Sequence, residues 1–250
     1  MPWNEQSYLR FFPPLTWQSD PQIESVLSRV KPGARVVDLG AGGRRISPST
    51  ICVDFIPFRG TNLVADVHRL PVEDGSVDLV VATGLLEHVN DDHTVVREIV
   101  RILRPGGLVH IEIPFLQQYH QDPIDCRRLT VEGLELELRR EGLEPVKSGS
   151  HIGPTVTMIT LGAYYASLWF EGKSRLSRAI SSGVFLLWSA VFYPFKFLDR
   201  FLANKRSAHR LAFGVFCTAK KRETASRGLP EAEAQEAREL AAFTASARVS

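Results

Sequence analysis

The chain has few cysteines, little charge imbalance and no long unbroken apolar run, and each shortage narrows its function. Three cysteines in 250 residues, Cys52, Cys126 and Cys217, stand far apart. No paired spacing suggests a disulfide framework or a zinc site, so a reducing compartment and no metal are expected. Lysine and arginine number 30 against 28 aspartate and glutamate, a net charge of +2. That balance gives no reason to expect a nucleic-acid partner. The first twenty residues lack a basic start followed by an apolar run, so no secretory signal is visible and a cytoplasmic location is expected. What the chain does have is 44% hydrophobic residues over a length that can bury a full core. One domain with an insertion or tail fits that size.

The organising stretch is Ala34-Arg35-Val36-Val37-Asp38-Leu39-Gly40-Ala41-Gly42-Gly43. It reads as a buried parallel strand running into glycines, which let the backbone turn sharply and approach a ligand closely. Before it, Asp20-Pro21 reads as a helix cap, with Ile23, Val26, Leu27 and Val30 on one apolar face. A second run, Thr50 to Val53, is closed by Asp54, where open parallel sheets place an acidic residue against ribose hydroxyls; a turn aspartate is the other reading. Only about ten residues separate these strands, so the first crossover helix must be short or absent. Arg44 and Arg45 follow the glycines, either solvated or supplying charge to a bound carboxylate. A third run, Asn62 to Ala65, ends in Asp66-Val67, and a fourth from Val77 to Ala82 leads into Thr83-Gly84-Leu85-Leu86-Glu87-His88-Val89. Asp91-Asp92 caps a helix with Val95, Val96, Ile99, Ile102 and Leu103 inward, and Leu108 to Pro114 forms the fifth strand.

Asp38-Leu39-Gly40-Ala41-Gly42 resembles the first motif of class I, type 11-like methyltransferases that use S-adenosylmethionine, and Leu86-Glu87-His88-Val89 is similar to a signature of small-molecule members. The resemblance covers about residues 34–145. It implies an α/β fold with a Rossmann-like, seven-stranded, mostly parallel sheet. It also implies an S-adenosylmethionine site at Asp38, Gly40, Gly42, Asp54, Asp66, Val67, Thr83 and Glu87, with Asp66 facing the adenine amino group and Val67 covering the ring. His88 is either a base or a structural helix-start histidine.

The segment Pro114 to Thr130 concentrates Tyr119, His120, Asp122, Asp125, Arg127 and Arg128 at the ligand-facing end of the fifth strand. Tyr119, His120 and Asp122 are catalytic candidates, and Asp125, Arg127 and Arg128 candidates for anchoring a substrate. The other reading is a hydrogen-bonded loop whose Thr130-Val131-Glu132-Gly133 caps the next helix. Its Pro-Phe-x-x-x-Tyr-His-x-Asp-Pro-x-Asp-x-x-Arg pattern resembles a bacterial subgroup associated with cell-surface polysaccharide genes.

A sixth strand begins near Gly142 and the seventh is expected at Ala212 to Ala219, which leaves an insertion of about sixty residues where a hairpin loop is ordinary. Its apolar blocks, Ile152 to Phe170 and Gly183 to Phe195, carry Trp169, Trp188 and Tyr193 and are flanked by Lys173, Arg175, Arg178, Lys196, Arg200, Lys205 and Arg206. Neither reaches the roughly twenty apolar residues of a straight span, and the pattern fits helices lying in a membrane interface.

The expected organisation is an N-terminal segment and helix (1–33), a cofactor-binding core (34–150), an apolar helical insertion between the last two strands (151–206), the final strand (207–222) and a flexible tail (223–250). The expected activity is methyl transfer to a hydroxyl of a glycan, lipid-linked or other membrane-proximal acceptor, with membrane contact through 152–205 at the inner face of the plasma membrane. The rival readings are a soluble-metabolite methyltransferase and a non-catalytic scaffold with the same fold.

Overall fold

The computed structural model describes residues 21–121, 123–203 and 205–223. The cap residue Asp20, the catalytic candidate Asp122 and the tail beyond Glu223 lie outside them.

Four consecutive buried residues make β1, Val36–Leu39, an interior strand of the sheet. Around it run β2 (Ile51–Asp54), β3 (Leu63–Val64), β4 (Val77–Thr83), β5 (Leu103–Pro114), β6 (Leu143–His151) and β7 (Gly214–Lys221), in the order β3-β2-β1-β4-β5-β7-β6. The first five strands pair in parallel, whereas β7 is antiparallel to both neighbours. The sheet is therefore mixed, with an antiparallel edge on a parallel body.

Alternation along the strands sends side chains to opposite faces. Val37, Leu39, Val80 and Ala82 join one cluster, which Val95, Val96 and Ile99 of α2 (Asp92–Ile102) and Leu134 and Leu138 of α3 (Val131–Arg140) cover. Val36, Leu79 and Val81 face the other way, onto Val26 of α1 (Pro21–Leu27), with Ile46 packed beside them. Ile46 belongs to the β1–β2 connection, which contains no helix. Too few residues are available there, and a loop side chain covers the sheet where a crossover helix would. Helix α1 is shorter than its apolar face suggests, because Val30 packs from beyond its end.

The insertion between β6 and β7 carries two long helices, α4 (Pro154–Leu168) and α5 (Arg175–Phe192), followed by shorter helical turns from Tyr193 to Leu211. Trp188 donates its indole N–H to the Ile159 carbonyl at 3.1 Å, and its ring leaves no room for a side chain at Gly162. The start of α4 is capped from a distance: buried Asp199 accepts the Thr155 and Val156 amides at 2.8 and 3.1 Å. Arg175–Leu202 is continuous, long and apolar enough by length and composition to cross a membrane, and only 11% of its most apolar window is buried. Each helix leaves an apolar stripe outside: Met158, Tyr165 and Trp169 on α4 and just past its end, and Leu176, Ile180, Leu187 and Val191 on α5.

Candidate functional site

In a sheet of this order ligands bind outside the carboxyl ends of the parallel strands. After β1 the chain turns through Gly40, with φ +66°, and Gly42, with φ +56°. The amides of Gly40 and Ala41 both donate to the Val53 carbonyl of β2, at 2.9 and 3.2 Å. Asp54, at the tip of β2, accepts the Gly42 amide on Oδ2 at 2.8 Å and the Ile56 amide on Oδ1 at 3.0 Å. The expected ribose carboxylate thus points at the glycine turn and fixes its shape, and each oxygen keeps a second lone pair for a hydroxyl.

Asp38, in β1, pairs with the loop that follows the strand. It is fully buried, and both its oxygens accept from the Arg44 guanidinium at 3.0 and 3.1 Å. Burial raises its pKa while Arg44 opposes the rise. Its carboxylate is turned to Arg44, which follows the glycine turn in the chain. Neither arginine is simply solvated, because Arg45 clamps the Thr50 and Gly60 carbonyls at 2.9 and 3.0 Å. The close pairing Asp38–Arg44 had no signal in the sequence beyond the two arginines that follow the glycines.

Beyond β3, the Asp66 side chain is 61% exposed and accepts the amide and the Nδ1 of His68, at 2.9 and 2.6 Å. Those bonds lower its pKa, the backbone one most. It stays ionised and faces open space, while Val67 beside it is buried in the core. At the end of β4, Thr83 is half-buried and Gly84 turns with φ +64°, donating its amide to the Glu112 backbone carbonyl at 3.1 Å.

The turn Leu86–His88 then carries Glu87 into the interior, where it is 1% exposed. Burial pushes its pKa up to about 7, against the pull of its own backbone amide, His88 and Arg128. Its Oε2 has no hydrogen-bond partner among the described residues. Its Oε1 lies 4.0 Å from the Nε2 of both His88 and His120, and the two rings meet edge to face at 5.0 Å. His120 arrives from the loop after β5, so two strand tips build this cluster.

That loop is held by ionic and backbone bonds. Asp125 has a fully buried side chain, accepts the His120 amide at 2.7 Å and pairs with Arg128 at 2.7 Å, which pulls its pKa down to about 2. Arg128 also donates to the Gln117 and Gln118 carbonyls at 3.2 and 3.0 Å. Arg127 pairs with Asp92 and donates to the Asn90 carbonyl at 3.2 Å. Ionised groups in a crowded loop find partners nearby: Asp125 and Arg128 pair within it, and Arg127 ties it to Asp92 at the start of α2. Tyr119 faces solvent at 68% exposure and is not drawn into the cluster. The helix cap at Thr130 forms as well, accepting the Gly133 amide at 3.0 Å.

Sequence reasoning missed Gln118. Its backbone carbonyl accepts from both His120 Nδ1 and Arg128, while its side chain donates to the Tyr164 hydroxyl of α4 at 3.2 Å, tying the insertion to the loop. A polar hollow lined by Gly33, Arg35, Asp74 and Asp78 lies at the opposite, amino ends of β1 and β4.

Residues 44–111 match the family profile Methyltransf_11, described as a methyltransferase domain. A protein of Streptomyces fradiae, named as an uncharacterized 37.1 kDa protein in transposon TN4556, is 30% identical over 118 residues, covering 47% of this chain and 31% of its own. The ubiquinone biosynthesis O-methyltransferase of Cupriavidus pinatubonensis is 33% identical over 102 residues, covering 32% of this chain and 41% of its own. The chain thus spans less than half the length of these relatives. Among solved structures, the [4+2]-cyclase SpnF superposes with a TM-score of 0.53 at 18% identity, over 84% of this chain and 83% of that one. The phosphoethanolamine N-methyltransferase 2 of Haemonchus contortus, in complex with S-adenosyl-L-methionine, gives 0.50 at 17% identity, over 81% and 52%. At these identities the likeness is one of fold: the chain has the Rossmann-like methyltransferase fold.

Proposed function

We propose that the protein is an S-adenosylmethionine-dependent methyltransferase whose acceptor is a hydroxyl of a small molecule, glycan or lipid-linked compound held close to a membrane. The observation that carries the reading is the convergence of three strand tips: the glycine turn after β1, Asp54 braced against Gly42 at β2, and the Thr83–Glu87 turn after β4. The methyltransferase-domain match over 44–111 and a relative named as an O-methyltransferase support the cofactor and favour an oxygen acceptor.

The residues fit the cofactor. A side chain at Gly42 would meet no atom of the chain within 4 Å, so the turn leaves open space beside the Asp54 carboxylate. In this reading Asp54 accepts from ribose hydroxyls, exposed and ionised Asp66 accepts from the adenine amino group, and Val67 backs the ring. Bound there, S-adenosylmethionine supplies a methyl group activated by the adjoining sulfonium. The chain's task is positioning, which lines up donor carbon and acceptor oxygen. A hydroxyl acceptor also sheds a proton, and the Glu87–His88–His120 cluster is where the protein receives or labilises it. Tyr119 and Asp122, the other catalytic candidates, flank His120 in the sequence.

The membrane part rests on the insertion. Its outer stripes present Trp169 at 74%, Leu176 at 70% and Leu187 at 66% exposure, with Lys173, Arg175, Arg178, Arg200, Lys205 and Arg206 near their ends. Apolar stripes with basic flanks suit an anionic bilayer surface on the cytoplasmic side.

Calorimetry with S-adenosylmethionine and transfer of labelled methyl into membrane and soluble extracts test the enzyme. Binding that Asp54→Ala weakens, with label entering the membrane fraction, is the expected result. No binding by folded protein would favour a scaffold, and label confined to the soluble fraction would favour a soluble acceptor. Flotation with anionic vesicles tests the insertion: the intact chain should float, and Leu187→Glu with Val191→Glu should stay at the bottom while still binding the cofactor.

A further inference from the structure

We propose that Glu87, His88 and His120 form a binding site for one first-row divalent cation of the zinc type, with a coordination position open to the acceptor. One ligand atom from each residue lies within 4.8 Å of the other two, and the Glu87 Oε1 stands 4.0 Å from each imidazole Nε2. Zinc ligands stand about 2.0–2.2 Å from the metal, so closing this triangle on an ion takes a contraction of only a few tenths of an ångström at each vertex.

The histidines are already oriented as ligands. His88 Nδ1 lies 2.5 Å from the Ile124 carbonyl, and His120 Nδ1 lies 3.2 Å from the Gln118 carbonyl. A carbonyl can only accept, so each Nδ1 carries a proton, and in the neutral ring the lone pair left for a metal is on the Nε2 nearest the Glu87 carboxylate. Fixing a metal-binding imidazole through its far nitrogen is how proteins set the tautomer and ring angle. The backbone is pinned too: the Glu87 carbonyl accepts the Cys126 amide at 2.8 Å, and Asp125 accepts the His120 amide at 2.7 Å. At the centre sits a carboxylate that is 1% exposed and has one oxygen unpartnered, an arrangement that is costly until a positive charge faces it.

Two neutral imidazoles and one carboxylate select zinc, cobalt, nickel or iron over magnesium and calcium, which prefer oxygen ligands. Three protein ligands leave room for a fourth group. A hydroxyl taking that position would be acidified by the ion's charge, and its proton would pass to water. This use rests on the methyltransferase reading above; the binding of the cation does not.

The test uses the full chain stripped with a chelator and titrated with Zn²⁺ by calorimetry, and with Co²⁺ by its visible absorption. One equivalent should bind, and His120→Asn and Glu87→Gln should each weaken binding about 100-fold or more. Cys126→Ser, which removes the nearby exposed thiol, should bind as the parent does. Each variant's unfolding transition and affinity for S-adenosylmethionine are measured alongside, to separate lost ligands from lost fold. Absence of saturable Zn²⁺ binding, binding unchanged in a folded His120→Asn, or binding lost in Cys126→Ser would overturn the proposal. Those outcomes leave cofactor binding intact, whereas failure of the enzyme reading appears as no S-adenosylmethionine binding in the parent.

Discussion

Gly40 and Gly42 of the β1 turn should fail in different ways when each is given a methyl group. Both have left-handed backbones, which cost an L-residue about 1–2 kcal/mol. At Gly40 the added carbon would also sit 3.1 Å from Leu85 Cδ1 and 3.4 Å from its Cβ, and Leu85 is 9% exposed and packed in the core. Overpacking of that kind costs about 1–3 kcal/mol, so Gly40→Ala should lose about 2–5 kcal/mol in all. At Gly42 the added carbon meets nothing within 4 Å, so Gly42→Ala should lose only the backbone share of about 1–2 kcal/mol. The order reverses for binding. The space beside Gly42 is where the cofactor is proposed to lie, and Gly42→Ala should weaken S-adenosylmethionine about tenfold or more, a loss of at least about 1.4 kcal/mol. Urea unfolding gives the first quantity and calorimetry on the folded variants the second. If Gly42→Ala proved the less stable of the two, or bound the cofactor as tightly as the parent, the account of this turn would be wrong.

Arg128→Ala strips the partner from the fully buried Asp125 carboxylate and should cost about 3 kcal/mol or more, whereas Asp125→Asn with Arg128→Met should recover part of it in denaturant titrations. Thiol titration of the native chain near pH 8 should report one fast group, Cys126, because Cys52 and Cys217 are buried and burial pushes the Cys217 thiol up to about 12; all three should react once the chain unfolds. Asp78 is held below the usual carboxylate range by its bond to Arg104 and by the Arg35 amide, so its stabilising share is present above about pH 4 and lost as the pH falls through its native pKa. Asp78→Asn should be less stable than the parent at pH 7 and show a flatter decline in acid, seen in thermal melts at pH 7 and pH 3.

Much of the scaffold was written locally. Apolar runs closed by acids or glycines marked β1, β2 and β4 because a strand buried on both faces must be apolar and a ligand-facing turn must be small. The missing crossover helix followed from counting the residues between β1 and β2. The site loop was visible as a concentration of polar groups, but its internal pairing was not. Which of Asp125, Arg127, Arg128, His120 and Tyr119 face one another depends on how the chain returns over the β4 and β5 tips.

The sequence by itself settled the order of strands and helices, the glycine turn and the long apolar insertion, since each is a matter of periodicity and spacing along the chain. The tertiary structure alone decided that Asp38 would be sealed by Arg44, that Asp199 would cap a helix starting 45 residues earlier in the chain, and that Glu87 would meet two histidines 1 and 33 positions away. Charges seek partners through space, and a linear pattern does not record which ones the closed fold brings within reach.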